Sequence, residues 1–320
     1  MITIKKVFSE DFQSVLELLD LFGNKDIDRN QWQRLCNPVC RKLANDFHGF
    51  ALVDDGKFVG FIAGIQSQRE INGKTHKFCN ISSWIVHQNY RNEKKGLLLF
   101  KALMELEDFN FFVLSPVRHT LDYYTKLYGF KENTSKWNTV LALPSIRNIA
   151  FKSTVLINTT EIPNHLNTLD SDIYKDHQFP NVFHVLYLYK GEWIYSIIKP
   201  TLYSSYVLNS SFIIKYFTKA WFKIFKKDFF TSNILLGLVH YTNKPKYFSE
   251  SLGYFRNTIC KQIGVKGLSI NDKYLLDKPI FSIKNTLNYS GLFKSNNLCQ
   301  EDFDTLYSEL ILLQLKHFQL

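Results

Sequence analysis

Between Val86 and Leu103 the sequence reads VHQNYRNEKKGLLLFKAL. An apolar run ends, Arg91, Lys94 and Lys95 gather around Gly96, and a leucine-rich helical pattern begins. Those residue types at that spacing make an anion site. A helix start leaves backbone N–H groups without intrahelical partners, and the helix dipole adds positive potential there. Gly96 allows close approach to the backbone, and the cations add charge. The expected ligand is a phosphate group, in particular a diphosphate. A second cluster follows at LDYYTKLYGF, where Tyr123, Tyr124 and Tyr128 precede Gly129.

The elements that must position these residues are legible from periodicity. IKKVFSEDFQSVLELLDLF predicts a strand and then a helix capped by Ser9, with Phe12, Val15, Leu16, Leu18 and Leu19 on its apolar side. FHGFALVDDGKFVGFIAG predicts a hairpin turning at Asp54, Asp55 and Gly56. KFCNISSWIV is a third strand, ending at the basic turn. FNFFVLS is a short strand apolar on both faces. Leu121–Phe130 predicts a short helix ended by Gly129, and WNTVLAL a closing strand. The first 145 residues therefore run β-α-β-β-β-α-β-α-β.

The same order recurs further on. FHVLYLYKGEWIYSIIKP repeats the Phe-His opening and the glycine turn of the first hairpin. GLVHY echoes WIVHQ, and GVKGLSI falls about 30 residues later, where FNFFVLS fell. This implies an internal duplication. The expected fold is α/β (α+β), two lobes each built on a mixed, mostly antiparallel sheet flanked by helices. The domains are expected at 1–148 and 149–320. In the second half the turn reads VHYTNKPKYFSESLGYF, with Pro245 and without the arginine and glycines of a phosphate cradle. The intervening FIIKYFTKAWFKIFKKDFF reads as an amphipathic helix covering the sheet.

Composition narrows the class. No run approaches the roughly 18 apolar residues of a membrane-spanning helix, and MITIKKVFSEDF lacks the apolar core of a signal peptide. A soluble cytoplasmic protein is expected. The five cysteines make no disulfide framework, and Cys36 and Cys40 lack a second ligand pair for zinc. The net charge of +10 suits an anionic ligand. The lysines are spread without a compact basic-aromatic tract, so nucleic-acid binding is not expected.

The basic turn resembles the coenzyme A loop of the GNAT acyl-CoA N-acyltransferases. In that family Arg/Gln-x-x-Gly-x-Gly/Ala follows the fourth strand. Here Arg91-Asn92-Glu93-Lys94-Lys95-Gly96 keeps the arginine and the second glycine, and Lys94 replaces the first. IVHQNYR is similar to the family's V-x-P-x-Y-R, with Gln88 in place of proline. LDYYTKLYGFKE resembles A-x-x-F-Y-x-x-x-G-F-K, with one extra residue before Gly129. The family's asparagine seven residues before its tyrosine is Val117 here.

The resemblance implies a transferase moving an acetyl or short acyl group from acetyl-CoA to an amine of a small molecule or sugar. It implies Tyr124 as the acid that protonates the coenzyme A thiolate. Backbone of Trp84, Ile85 and Val86 would meet the thioester and pantetheine, and Arg91, Asn92, Glu93, Lys94, Lys95, Gly96 and Leu97 the diphosphate. The second lobe is then a degenerate copy, structural or acceptor-binding. The base is not legible. His87 could face the cleft, Ser82 and Ser83 could relay a proton through water, and His119 precedes the tyrosine helix. Glu105 and Glu107 read as solvated helix residues. Asn24–Asp46 and Ser67–Lys77 are expected acceptor loops. Two other readings stand beside this one: a non-catalytic scaffold on a vestigial fold, and an aminoacyl transferase of the Fem type, against which the coenzyme A loop argues.

Overall fold

The computed structural model describes residues 1–21, 23, 27–36, 47–91, 94–117, 120–142, 154–203, 234–276, 282–285 and 291–313. The chain divides into two compact units, Met1–Thr134 with Ser290–Gln314, and Ser135–Tyr289 with Leu315–Leu320. The segment 212–230, read as an amphipathic helix, lies outside the described residues.

In the first unit β1 (Thr3–Lys6), β2 (Gly49–Asp54), β3 (Lys57–Ile71) and β4 (Lys74–Val86) form an antiparallel meander. Its two long hairpins close at Asp55-Gly56 and Asn72-Gly73, whose φ values of 47°, 77°, 53° and 73° make type I′ turns. That turn twists with the strands it joins. Ser67–Lys77, read as an acceptor loop, is therefore the tip of a regular hairpin. β5 (Phe109–Val113) adds parallel to β4, with Lys77–Asn80 opposite Phe109–Phe112. α1 (Phe12–Asp20) and α2 (Arg29–Gln33) lie between β1 and β2, and α3 (Gly96–Met104) joins β4 to β5. α1 buries the five apolar residues that its periodicity marked. Ser9 does not cap it; it sits in a preceding 3-10 turn and bonds His48 at 3.2 Å.

Alternation along β4 sorts the two faces of this sheet. Cys79 and Ile81 pack with Leu99, Phe100 and Leu103 of α3. Phe78 points to the other face, where it meets Phe303 at 5.6 Å. Phe112 and Phe293 meet the same ring at 5.8 and 5.1 Å, so the C-terminal segment covers the face opposite α3.

In the second unit β8 (Val155–Ile157), β9 (Phe183–Tyr189), β10 (Glu192–Tyr203) and β11 (Ile234–Thr242) form the corresponding meander. The β9–β10 hairpin closes at Lys190-Gly191, φ 51° and 79°. α4 (Thr168–Asp176) precedes β9, and α5 (Pro245–Ile263) leads to β12 (Gly267–Asn271), which is parallel to β11. The duplication read from the sequence is therefore present strand for strand.

The domain boundary differs from the one expected at 148/149. β7 (Trp137–Leu141), read as the closing strand of the first lobe, pairs with β12 and with β13 (Ser282–Asn285) in the second sheet. β14 (Gly291–Lys294) sits reciprocally between β5 and β6 (Lys131–Asn133) in the first. The sheet orders are β1-β2-β3-β4-β5-β14-β6 and β13-β7-β12-β11-β10-β9-β8. Each unit thus carries, at the same place in its sheet, the last strand of the other half. Hydrogen-bond partners are chosen in space, and the contiguous chain does not report them.

Candidate active site

The parallel pairing of β4 with β5 ends at Asn80–Phe112, yet β4 continues to Val86. Beyond Asn80 the two strands part, and among the described residues no strand pairs with residues 81–86 on that edge. A bulge lies in the same stretch. Phe61 pairs with Ile85 and Ala63 with Ser82, so β4 carries one residue more than β3 between them. Ser83 takes φ 48° there. Bulges re-aim backbone groups and recur beside functional sites. The gap is a place where the β4 edge could meet an extended ligand.

At the top of the gap the chain turns into α3. Tyr90 donates to Asp54 at 2.9 Å, fixing the turn to the β2–β3 hairpin. That bond is the main reason the Asp54 carboxyl is held below the usual range. Arg91 Nε donates to the Val86 carbonyl at 2.8 Å, capping the strand end while its guanidinium stays exposed. Lys94 occupies the place of the missing glycine with φ 55°, so the left-handed backbone is kept at some strain. Lys95 lies 5.5 Å from the centroid of the Tyr90 ring.

Gly96 has a packing role. A Cβ there would stand 3.0 Å from Val86 Cγ2 and 3.4 Å from Trp84 Nε1, so the glycine lets α3 seat on the end of β4. Leu97 follows in the first turn of α3, and Ile85 is buried, while its neighbours Trp84 and Val86 pack on the α3 side. Asn92 and Glu93 lie outside the described residues.

Tyr124 is 4% exposed and lies in a π-helical turn, Tyr123–Leu127, where an ordinary short helix was expected. π turns are rare and concentrate at functional sites. Its ring is held by Trp84 at 6.3 Å, Phe100 at 5.0 Å and Phe130 at 5.3 Å. Edge-on ring pairs are worth about 0.5–1.5 kcal/mol each beyond burial, so its position is well determined. Burial raises its phenol, and the charge of Glu309 raises it further. The hydroxyl therefore keeps its proton at neutral pH.

Two of the candidates named from sequence as base or proton relay make other contacts. His87 caps the 3-10 turn Gln88–Tyr90 by accepting from the Asn89 amide at 3.4 Å. Ser82 and Ser83 bond one another at 3.3 Å. Glu105 is exposed beside Lys101, 3.9 Å away. His119 and most of Asn24–Asp46 lie outside the described residues, and Val117 is 57% exposed.

Sequence reasoning missed Glu309. It opens the single turn α6 (Glu309–Leu312), in the C-terminal segment that returns to the first unit. Its amide donates to Asn80 Oδ1 at 3.0 Å, at the last residue of β4 that pairs with β5. Ser115, just past the end of β5, donates to its Oε1 at 2.9 Å. Glu309 is 1% exposed, and among the described residues its Oε2 has no hydrogen-bond partner. Burial pushes its carboxyl up to about 7, against the opposing pull of Ser115, Asn80 and backbone donors. The sequence SELILLQL around it reads as an ordinary apolar helix, so nothing local marks it.

The second unit keeps the same frame and fills it differently. Ile197 pairs with Tyr241 and Ile198 with Val239, which places a bulge at His240 in β11, as in β4. Pairing of β11 with β12 also stops early, at Leu238–Ser269. Here the Tyr274 hydroxyl donates to the His240 carbonyl at 3.0 Å and occupies the opening. The turn into α5 is stitched down. Asn243 accepts from the Tyr195 amide at 3.0 Å and donates to Asp170 at 2.9 Å. Lys244 pairs with Glu192, and Lys190 with Glu250 at 2.7 Å. Those two lysines are already neutralised.

Comparison with known proteins agrees with this geometry. The model of the Acetyltransferase (GNAT) family matches residues 12–130. None of the curated proteins with which the chain was compared matches it. Among solved structures it is similar to a GCN5-related N-acetyltransferase from Anabaena variabilis, at 10% identity and TM-score 0.53, covering 94% of this chain and 74% of that one. It is similar also to one from Kribbella flavida, at 9% identity and TM-score 0.53, covering 92% of this chain and 71% of that one. At these identities the likeness is one of fold.

Proposed function

We propose that the first unit, whose residues 12–130 match the GNAT family model, transfers an acetyl or short acyl group from acyl-CoA to an amine of a small molecule or sugar. The observation that carries the reading is the gap past Asn80–Phe112, open along β4 and leading to a basic helix start. An extended pantetheine can pair with the free edge at Trp84–Val86. Its diphosphate can meet the first amides of α3 with Arg91, Lys94 and Lys95 around it. Tyr124, buried and protonated, stands under the gap to give its proton to the departing thiolate. The second unit serves as a degenerate, structural or acceptor-binding lobe.

Acetyl-CoA binding by calorimetry tests this reading. The native chain is expected to bind, and Gly96→Glu to abolish binding, because the new side chain brings bulk against Val86 and Trp84 and a negative charge to the cradle. Equal affinity in both proteins would end the acyl-CoA assignment of this turn. Thermal unfolding of Gly96→Glu without ligand separates lost binding from lost fold.

A further inference from the structure

We propose that Glu309 is the general base of the transfer, accepting a proton from the acceptor amine in the gap between β4 and β5. The inference rests on the acyl transfer proposed above and assigns the role of base, which neither His87 nor the Ser82–Ser83 pair fills among the described residues. Three observations converge on it. The first is position. Glu309 is fastened by its amide to Asn80, at the point where β4 and β5 part. It belongs to the segment covering the face opposite α3, whereas Tyr124 packs on the α3 face. The charge of Glu309 nevertheless acts on the Tyr124 phenol. The parting of the strands is where the two faces open onto each other, so an acid and a base approach it from opposite sides.

The second is an incomplete hydrogen-bond set. A buried carboxylate ordinarily has a cation or several donors to hold it. Glu309 has Ser115 on Oε1, with Asn80 and the backbone of Leu114 and of Glu309 itself near enough to favour its charged form, but among the described residues Oε2 accepts no hydrogen bond. Ser115 orients the group and leaves one oxygen for a substrate proton. The third is proton affinity. Burial brings the carboxyl to about 7, where a general base works best near neutral pH.

The proton count closes. An alkylammonium loses two protons on becoming an amide. Glu309 takes the first, freeing the nitrogen lone pair to attack the thioester carbon. The C–N bond forms and the C–S bond breaks. The thiolate takes the Tyr124 proton, and the second proton of the nitrogen makes that loss good. Glu309 returns its proton to solvent.

The test compares native protein with Glu309→Gln, using acetyl-CoA and two amines at about pH 7, with free thiol as the readout. n-Butylamine is cationic and needs a base; hydroxylamine is already neutral and does not. The variant is expected to lose roughly 100- to 10,000-fold with butylamine, and to stay within about tenfold of native protein with hydroxylamine. Equal losses with both amines would mean a structural role and overturn the assignment, as would no loss with either. Ser115→Ala, which keeps the carboxylate and loosens it, is expected to be selectively slower with butylamine. It carries the same comparison if the Gln variant does not fold. Calorimetry separates the two levels of inference. Native protein that binds acetyl-CoA and acylates neither amine overturns the role of Glu309 alone; native protein that does not bind acetyl-CoA overturns the reading beneath it.

Discussion

A carboxylate kept in the wrong environment for folding leaves a thermodynamic signature, and Glu309→Gln exposes it. The carboxyl stands at about 7 in the folded protein against an ordinary value of 4.5. Because its folded value is raised, the folded state holds this proton more tightly than the unfolded chain does. Its contribution is therefore favourable below 4.5 and is lost as pH rises through about 7. The full span corresponds to about 3 kcal/mol. The groups acting on it are Ser115, Asn80 and the backbone donors of Leu114 and Glu309 itself, with Tyr124 its titratable neighbour.

Glutamine keeps the acceptor oxygen for Ser115 and removes the charge. At pH 8 the variant is expected to be the more stable protein by about 3 kcal/mol, which raises the unfolding temperature of a unit this size by about 6–12 °C. At pH 4 the two proteins are expected to melt together. Thermal unfolding followed by circular dichroism at pH 4, 6 and 8 measures this, and taking the difference between the proteins cancels every other titration. A variant that is less stable at pH 8, or a difference that does not change with pH, would show that the carboxyl is well solvated or well paired. Glu309 would then be an ordinary structural carboxylate. A stability gain joined to lost turnover is the pattern expected of an active-site residue.

Three shorter expectations follow. Lys94→Gly relieves a left-handed backbone at φ 55° and is expected to stabilise the protein by about 1 kcal/mol in thermal unfolding, with acetyl-CoA affinity reduced because one cation beside the diphosphate is lost. Tyr124→Phe keeps the ring packing and removes the proton, so turnover is expected to fall about 100- to 10,000-fold while calorimetry shows unchanged coenzyme affinity; near-normal turnover would make Tyr124 a packing residue. Acetyl-CoA is expected to bind with a stoichiometry of one per chain, because Lys244 and Lys190 are paired and Tyr274 fills the second opening. A stoichiometry of two would refute that.

What the sequence revealed was local. The I′ turns announce themselves as Asp55-Gly56 and Lys190-Gly191, because few residues adopt positive φ in succession. The buried stripe of α1 follows from period alone. The basic turn could be proposed as an anion site because its residues are contiguous, from Arg91 to Leu97. The repeat was legible because two hairpins, a strand and a second strand recur at matched separations. What it hid was non-local. The bulge at Ser83 depends on how β4 registers with β3, and the π turn at Tyr124 on how that segment packs. His87 looked like a cleft residue because the sequence shows the strand it follows but not the turn it caps.

The exchange of last strands explains why the base was out of reach of any local reading. Once β14 lies between β5 and β6, the chain that follows it must leave the first sheet on one of its faces. The Phe78–Phe303 and Phe112–Phe303 contacts show which: the face opposite α3. From there Asn80 takes the Glu309 amide and Ser115 its carboxylate, so residues 229 and 194 positions away in sequence define one proton-binding group. A first lobe ending at residue 148 would lack both β14 and this carboxylate. In the proposed reading the second half therefore contributes to the site of the first: its closing strand β14 and the segment beyond it lie in the first unit.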